Sequence, residues 1–497
     1  MKRWILLVVV LAVASMVLAA CPKPTPQVIE KTVVVTKEVE KVVTKEVQKV
    51  VTQVVTKEVE KVVTKVVTKE VEPAKGRCAP TSLDELGDKG VIKIGVPIPL
   101  SAPGSVTGGQ AMQIAANIAV NHINEKGGIL GKYPIDVVFY DTSGLPERGR
   151  AGAEYLITQE CVAAIAGEYH SAAGVQEKEV AHKYGVLAVF AETWNDKITA
   201  AQYPEVFRIA PASSMVAQAD AKFFSDLGTK WVAIVAENTD YGVPASKATK
   251  KRLADLGIDS EIYLAEQGTQ DFSALVSRIV QDVQQREGRK GVLVLITGET
   301  SYNFEQQAVE GGLAPAEDLV FVANQVAANH SEFWANVPDG NYMAFRRVGV
   351  VPALTKNNPV AQRFIEDYKK MTRDPDRFPE SYAFEQYDAL MLVAHAIEQA
   401  KSLKTEDLIA ALEALDSKDN GFQGAQGIYY FLYGTKNPVP DDVPAWMWHQ
   451  WPDPAILFLQ YWKEGQTVDE ACVIWPEHYR TCGTDYVVPG TEPPMKP

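Results

Sequence analysis

Val91-Ile92-Lys93-Ile94-Gly95-Val96-Pro97, a loop rich in Gly, Ser and Pro, a helical pattern over about 111–125, and Ile135-Asp136-Val137-Val138-Phe139-Tyr140 form the stretch on which the fold turns. A short run of β-branched and apolar residues gives way to an amphipathic helix and then to a second such run. The unit repeats through a helix at about 147–160, Val162-Ala163-Ala164-Ile165-Ala166-Gly167, a helix near 173–184 and Val186-Leu187-Ala188-Val189-Phe190. This alternation reads as βαβ units, whose parallel strands are covered on both faces by the crossover helices. It restarts at Trp231-Val232-Ala233-Ile234-Val235, passes through Ser260-Glu261-Ile262-Tyr263 and Val292-Leu293-Val294-Leu295-Ile296, and reaches Leu319-Val320-Phe321-Val322. Two such runs predict an α/β protein with two doubly wound parallel-sheet lobes.

Upstream the chain changes character. Lys2 and Arg3 precede an apolar, uncharged run over 5–20, and Leu18-Ala19-Ala20-Cys21 places small residues before a cysteine. The pattern is that of a secretory signal over 1–20. Its end resembles the lipobox of bacterial lipoproteins, which implies a lipidated Cys21 that tethers the protein to the outer face of the cytoplasmic membrane. An uncleaved anchor, or ordinary cleavage beside an incidental cysteine, is the alternative. Within 21–77 lies a tetrad repeat in which valine recurs every fourth residue from 35 to 71, as in Val34-Val35-Thr36-Lys37 and Val42-Val43-Thr44-Lys45. A period of four drifts around a helix, so a regular left-handed coiled coil is not expected. The reading is a spacer between membrane and domain, with self-association through the valine stripe as the alternative.

At 497 residues the chain is too long for one core, given about 100–200 residues per domain. Its 46% apolar and 23% charged residues exclude a wholly disordered or fibrous chain. Residues 1–75 carry 13 Lys and Arg against 8 Glu, and the remainder 36 against 55 acidic residues, so the body is strongly acidic. That excludes nucleic acid as a partner, because phosphate binding needs a basic surface. A single segment is apolar enough to enter a bilayer, which excludes a pore. The seven histidines lack metal-ligand spacing, and no Gly-x-Ser-x-Gly elbow is present. Gly127, Gly128 and Gly131 follow a helix, not a strand, and read as a helix-ending turn. Neither an enzyme nor a cofactor is expected.

Ile92-Lys93-Ile94-Gly95, Pro99-Leu100-Ser101 and Ala119-Val120-Asn121-His122-Ile123-Asn124-Glu125-Lys126-Gly127-Gly128-Ile129-Leu130-Gly131 resemble the opening of type I periplasmic solute-binding proteins. The nearest group is the branched-chain amino-acid (Leu/Ile/Val) binding proteins of ABC importers. Phe207-Arg208-Ile209-Ala210-Pro211, Asp240-Tyr241-Gly242, Asp271-Phe272-Ser273 and Tyr387-Asp388-Ala389-Leu390 continue the resemblance in family order over about 90–430. The resemblance implies two lobes joined by three hinge crossovers, near 210–213, 326–330 and 424–427. The first lobe would combine 78–211 with 328–425, and the second 212–327 with 426–497.

Ligands of open parallel sheets bind outside the carboxyl ends of the strands, so the loops there carry the candidates. In Gly167-Glu168-Tyr169-His170-Ser171, Ser171 falls on the family serine that holds a ligand carboxylate with backbone N–H groups, and Tyr169 shares the loop. A plain helix cap is the other reading of Ser171. In Ala191-Glu192-Thr193-Trp194-Asn195, Trp194 stands where the family has a threonine, so a leucine-type ligand is not implied. Trp194 could stack on a flat or cationic ligand beside Glu192 and Thr193, or simply wall the cleft. Tyr241 matches a family tyrosine that reaches across from the second lobe. Ser101 on the first loop, with Glu266, Glu299 and Gln325 on later strand-end loops, completes the set, the last three as possible partners of an ammonium group. In the first loop Thr107-Gly108-Gly109 replaces the family's aromatic residue.

Besides Cys21, cysteines stand at 78, 161, 472 and 482, an even number that favours disulfides in an exported protein. Cys472 and Cys482 can close a C-terminal loop. The strand order that the resemblance implies allows a Cys78–Cys161 bridge; other pairings or free thiols stay open. Trp446, Trp448, Trp451, Trp462 and Trp475 suggest that 434–497 wraps over the second lobe, or else offers a docking face to a permease. The expected function is capture of an amino acid or similar solute by a monomer that serves ABC permease subunits. A ligand-sensing module of the same fold, without transport, is the alternative.

Overall fold

In the computed structural model, residues 76–87 and 90–491 are described. The signal segment, Cys21 and the tetrad repeat lie outside them. β1 (Ile92–Ile98), β2 (Ile135–Asp141), β3 (Ala164–Gly167), β4 (Leu187–Phe190) and β5 (Val206–Arg208) build a five-stranded sheet in the order β2-β1-β3-β4-β5. Every pairing in it is parallel. Side chains alternate between faces, as a period of two requires. Ile92, Ile94, Val96 and Ile98 meet one core with Met112 and Leu390, whereas Ile165, Ala188 and Val206 meet another with Leu156 and Val180. The order reverses between β1 and β3, which opens a crevice at their carboxyl ends.

The second sheet comprises β6 (Trp231–Glu237), β7 (Asp259–Ala265), β8 (Lys290–Leu295), β9 (Leu319–Ala323) and β10 (Ala344–Val348), all parallel. A short hairpin of β11 (Phe422–Gln423) and β12 (Ile428–Tyr429) precedes β13 (Ile456–Gln460) and β14 (Cys472–Trp475). These last two strands extend the second sheet antiparallel beyond β10, in the order β14-β13-β10-β9-β8-β6-β7.

Two expected boundaries are corrected. Residues 328–425 do not all belong to the first lobe, because β10 pairs with β9 and β13 in the second sheet. The chain returns to the first lobe only after β10, in 349–358, not at 326–330. There the helix Ser381–Ala400 packs on the helix Val106–Asn124, with His122 Nδ1 and Tyr387 Oη 2.9 Å apart. The C-terminal aromatics do not all wrap the second lobe either. The Phe207 ring of β5 stacks on His449 at 3.8 Å and meets Phe431 edge-on, and Trp448 Nε1 donates to Tyr203 O. Residues 431–451 therefore cover the exposed edge of β5 and satisfy its backbone; Arg208 N donates to His449 O at 2.9 Å. The third crossover lies in 451–456, not at 424–427. Disulfides join Cys78 to Cys161 and Cys472 to Cys482. Among the described residues no helix is long and apolar enough to cross a membrane.

Candidate functional site

The loop after β3 is built to hold still. Glu168 Oε1 folds back to accept the Tyr169 and His170 N–H groups at 2.8 and 3.0 Å. His170 Nε2 accepts Ser105 N–H at 2.9 Å, which ties the first loop to the third. Burial pushes the His170 imidazole down to about 4, so it stays a neutral acceptor. The next residue, Ser171, opens the helix Ser171–Tyr184, and its Oγ accepts Asn195 N–H at 3.1 Å. Its own proton is left to donate.

From the first lobe, Tyr169, Ser171, Glu192 and Trp194 face Tyr241, Thr297, Asn324 and Gln325 of the second across a narrow cleft. Each second-lobe residue stands just beyond a strand. Tyr241 precedes the helix Gly242–Asp255, and Thr297 follows β8 and donates to Glu237. Asn324 caps the turn after β9 by accepting Val326 N–H at 3.0 Å. The Gln325 amide reaches across the gap and donates to Glu192. Further contacts between the lobes edge the cleft. Asn195 Nδ2 donates to Asp240 O, and Glu299 Oε1 accepts Thr107 N–H at 2.6 Å.

Trp194 is a wall, with a cation of the protein itself over its ring. The Arg346 guanidinium lies 5.6 Å from the Trp194 ring, and Tyr241 meets the same ring edge-on at 6.0 Å. Arg346 is in turn paired with Asp220 at 3.2 Å, both side chains 1% exposed. Burial raises the Asp220 carboxyl to about 6 against the pull of Arg346. Glu192 also titrates above the usual carboxylate range because of burial. Glu385, beside it on the helix Ser381–Ala400, is pushed up further by burial and by the charge of Glu192.

The cleft thus brings together Tyr169, Ser171, Glu192, Trp194, Tyr241 and Gln325 among the residues named from sequence. It does not include four others. Ser101 Oγ is engaged with Asp141 and Ser143, each at 2.6 Å. Thr193 is fully buried against Gly174, where an added Cβ would meet its Cγ2 at 2.5 Å. Glu266 is exposed and accepts from Asn238, while Glu299 bridges the lobes at Thr107. Sequence reasoning missed Thr297 and Asn324. Both lie on strand-end loops, and that position was the signal that could have found them. Among the described residues no cluster of His, Cys, Asp and Glu could hold a metal ion.

Two α/β lobes, a chain that passes between them three times, and a polar cleft at the strand ends define a solute-binding protein of the type I periplasmic fold. The chain belongs to the periplasmic binding protein family, whose sequence pattern matches residues 91–431. It is 25% identical over 330 residues to the Leu/Ile/Val-binding protein homolog 1 of Brucella melitensis, covering 65% of this chain and 82% of that one. A leucine-binding protein from Thermotoga maritima superposes with a TM-score of 0.62 at 22% identity, over 77% of this chain and 97% of the other. An ABC-transporter solute-binding protein from R. palustris in complex with benzoate gives 0.61 at 18% identity, over 77% and 98%.

Proposed function

We propose that the protein captures a small polar solute, an amino acid or a similar compound, outside the cytoplasmic membrane and delivers it to the permease of an ABC importer. The observation that carries this reading is a cleft lined in equal part by each lobe, Ser171 and Glu192 on one side and Tyr241 and Gln325 on the other. A ligand held by both walls stabilises the closed arrangement through contacts that an open one lacks. The lipid on Cys21 would keep the protein beside its permease.

The lining contains no aliphatic side chain. Its apolar surface comes from the Tyr169, Trp194 and Tyr241 rings, which suit a solute with a flat or apolar part beside a polar one. A thermal-shift screen of amino acids, amides, amines and aromatic acids tests the reading, because a ligand of the native state raises apparent stability. At least one class should raise the melting temperature, and none doing so would defeat the proposal.

A further inference from the structure

Arg208, the last residue of β5, is fully buried, yet among the described residues no carboxylate accepts a hydrogen bond from its guanidinium. Its partners are mostly backbone. Nη1 serves three successive carbonyls of the loop after β4, those of Thr193, Trp194 and Asn195, at 3.4, 3.2 and 2.6 Å. Nη2 donates to Thr199 Oγ1 at 3.2 Å. Carbonyl oxygens turned to one point repel one another unless a cation sits among them. Burial lowers the Arg208 guanidinium to about 10, so it is still charged at neutral pH. The loop held in this way carries Glu192 and Trp194 into the cleft.

The remaining N–H, on Nε, donates to Gln450 Oε1 at 2.5 Å. Gln450 is itself fully buried, and it lies beyond the residues 91–431 that match the family pattern. Its amide donates to Ala210 O in the first crossover and to Trp451 O at the start of the third, at 2.8 and 2.6 Å. At the far end of the first crossover, Ser213 N–H donates at 2.6 Å to Trp194 O, a carbonyl that Arg208 also holds. One side chain of the C-terminal return thus joins two crossovers to a wall of the cleft.

We propose that Gln450 is a positioning residue for solute capture, which acts through Arg208 to keep the Glu192–Trp194 loop in step with the first and third crossovers. The assignment rests on the cleft being the capture site. Crossovers absorb the backbone rotation when two lobes close. With Gln450 in place, a turn of the crossovers carries the first-lobe wall with it, and hinge and site respond as one unit. Gln450→Leu leaves Arg208 Nε buried without a partner and both crossover carbonyls without this donor.

Hydrogen-exchange mass spectrometry and calorimetric titration of the whole chain test the assignment, the titration with L-glutamine, L-leucine, agmatine and benzoate as probes. Gln450→Leu should speed exchange at least about fivefold in 192–198 and in 209–213. It should also weaken each probe that binds by at least about fivefold. Gln450→Glu keeps an acceptor for Arg208 Nε but has no donor for the two carbonyls. It should leave 192–198 slow, speed 209–213 and share the loss of affinity. Thr435→Val loosens the same return segment elsewhere, where Thr435 Oγ1 donates to Glu413, and should change neither exchange in these segments nor affinity. Faster exchange confined to 445–456 in Gln450→Leu, or undiminished affinity in either Gln450 variant, overturns the role and leaves solute capture standing. The Gln450→Leu pattern reproduced by Thr435→Val marks a general loosening and overturns it as well. Should Gln450→Leu fail to fold, Gln450→Glu decides alone. Silence of the four probes and of the wider screen toward the unsubstituted chain removes both readings.

Discussion

Ser171 gives its oxygen to the protein and keeps its proton for the cleft, and this division decides what its loss should do. Its Oγ accepts Asn195 N–H at 3.1 Å. Alanine there removes a donor to the solute and strands a buried N–H group. Any solute found by screening should bind about tenfold more weakly to Ser171→Ala, and urea unfolding should show a loss of about 1–2 kcal/mol. Glu237, below Thr297, is 1% exposed, and burial pushes its carboxyl up to about 7. The folded state therefore holds this proton more tightly than the unfolded chain does. The stability gained is complete below about 4.5 and is lost as pH rises through about 7. Glu237→Gln stays neutral and should escape that loss, by up to about 3 kcal/mol at pH ~8 relative to pH ~4. Urea titrations at the two pH values read the difference.

Among the elements, the helix Ser381–Ala400 shows why a buried helix need not be apolar. Leu390, Leu392 and Val393 pack the core, while Asp388 accepts Ala425 N–H, Gln426 N–H and the Tyr429 hydroxyl at 2.7–2.8 Å. One carboxylate thus ties the β11–β12 hairpin to the helix. The stretch before the first strand is tied down differently, by the disulfide from Cys78 to Cys161 across 83 residues. Closing a loop of that size restricts the unfolded chain, so Cys78→Ser should lower unfolding stability by about 2–4 kcal/mol in denaturant titrations. β10 was the element hardest to foresee. Arg346 and Arg347 sit in its centre, 1% and 0% exposed, and two adjacent arginines do not read as a buried strand. They are accommodated because Asp220 pairs with one and the Val350 carbonyl accepts from the other at 2.6 Å.

For the molecule as a whole, the question is what holds the lobes together around the cleft. Glu299 of the second lobe accepts Thr107 N–H in the first turn of the helix Val106–Asn124, where a negative charge is favoured. This contact does not line the cleft. Glu299→Ala should therefore leave solute association nearly unchanged and speed dissociation by a few-fold to about tenfold, read by stopped-flow fluorescence. An equal change in both rates would remove the contact from the closure.

Two runs of short apolar strands alternating with amphipathic helices carried the two-sheet architecture in the sequence itself. Local periodicity decides which faces must be buried, and consecutive βαβ units leave few ways to do it. The loop around Ser171 was legible for the same reason, since the end of a parallel strand is set by the strand. Tertiary structure alone decided the partner of β10, the return of 431–451 to the first lobe, and which strand-end residues face one another. It also decided the burial that raises both the Glu192 and the Glu385 carboxyls. Each of these depends on groups brought together from distant parts of the chain, and burial and neighbouring charge have no value until those groups meet.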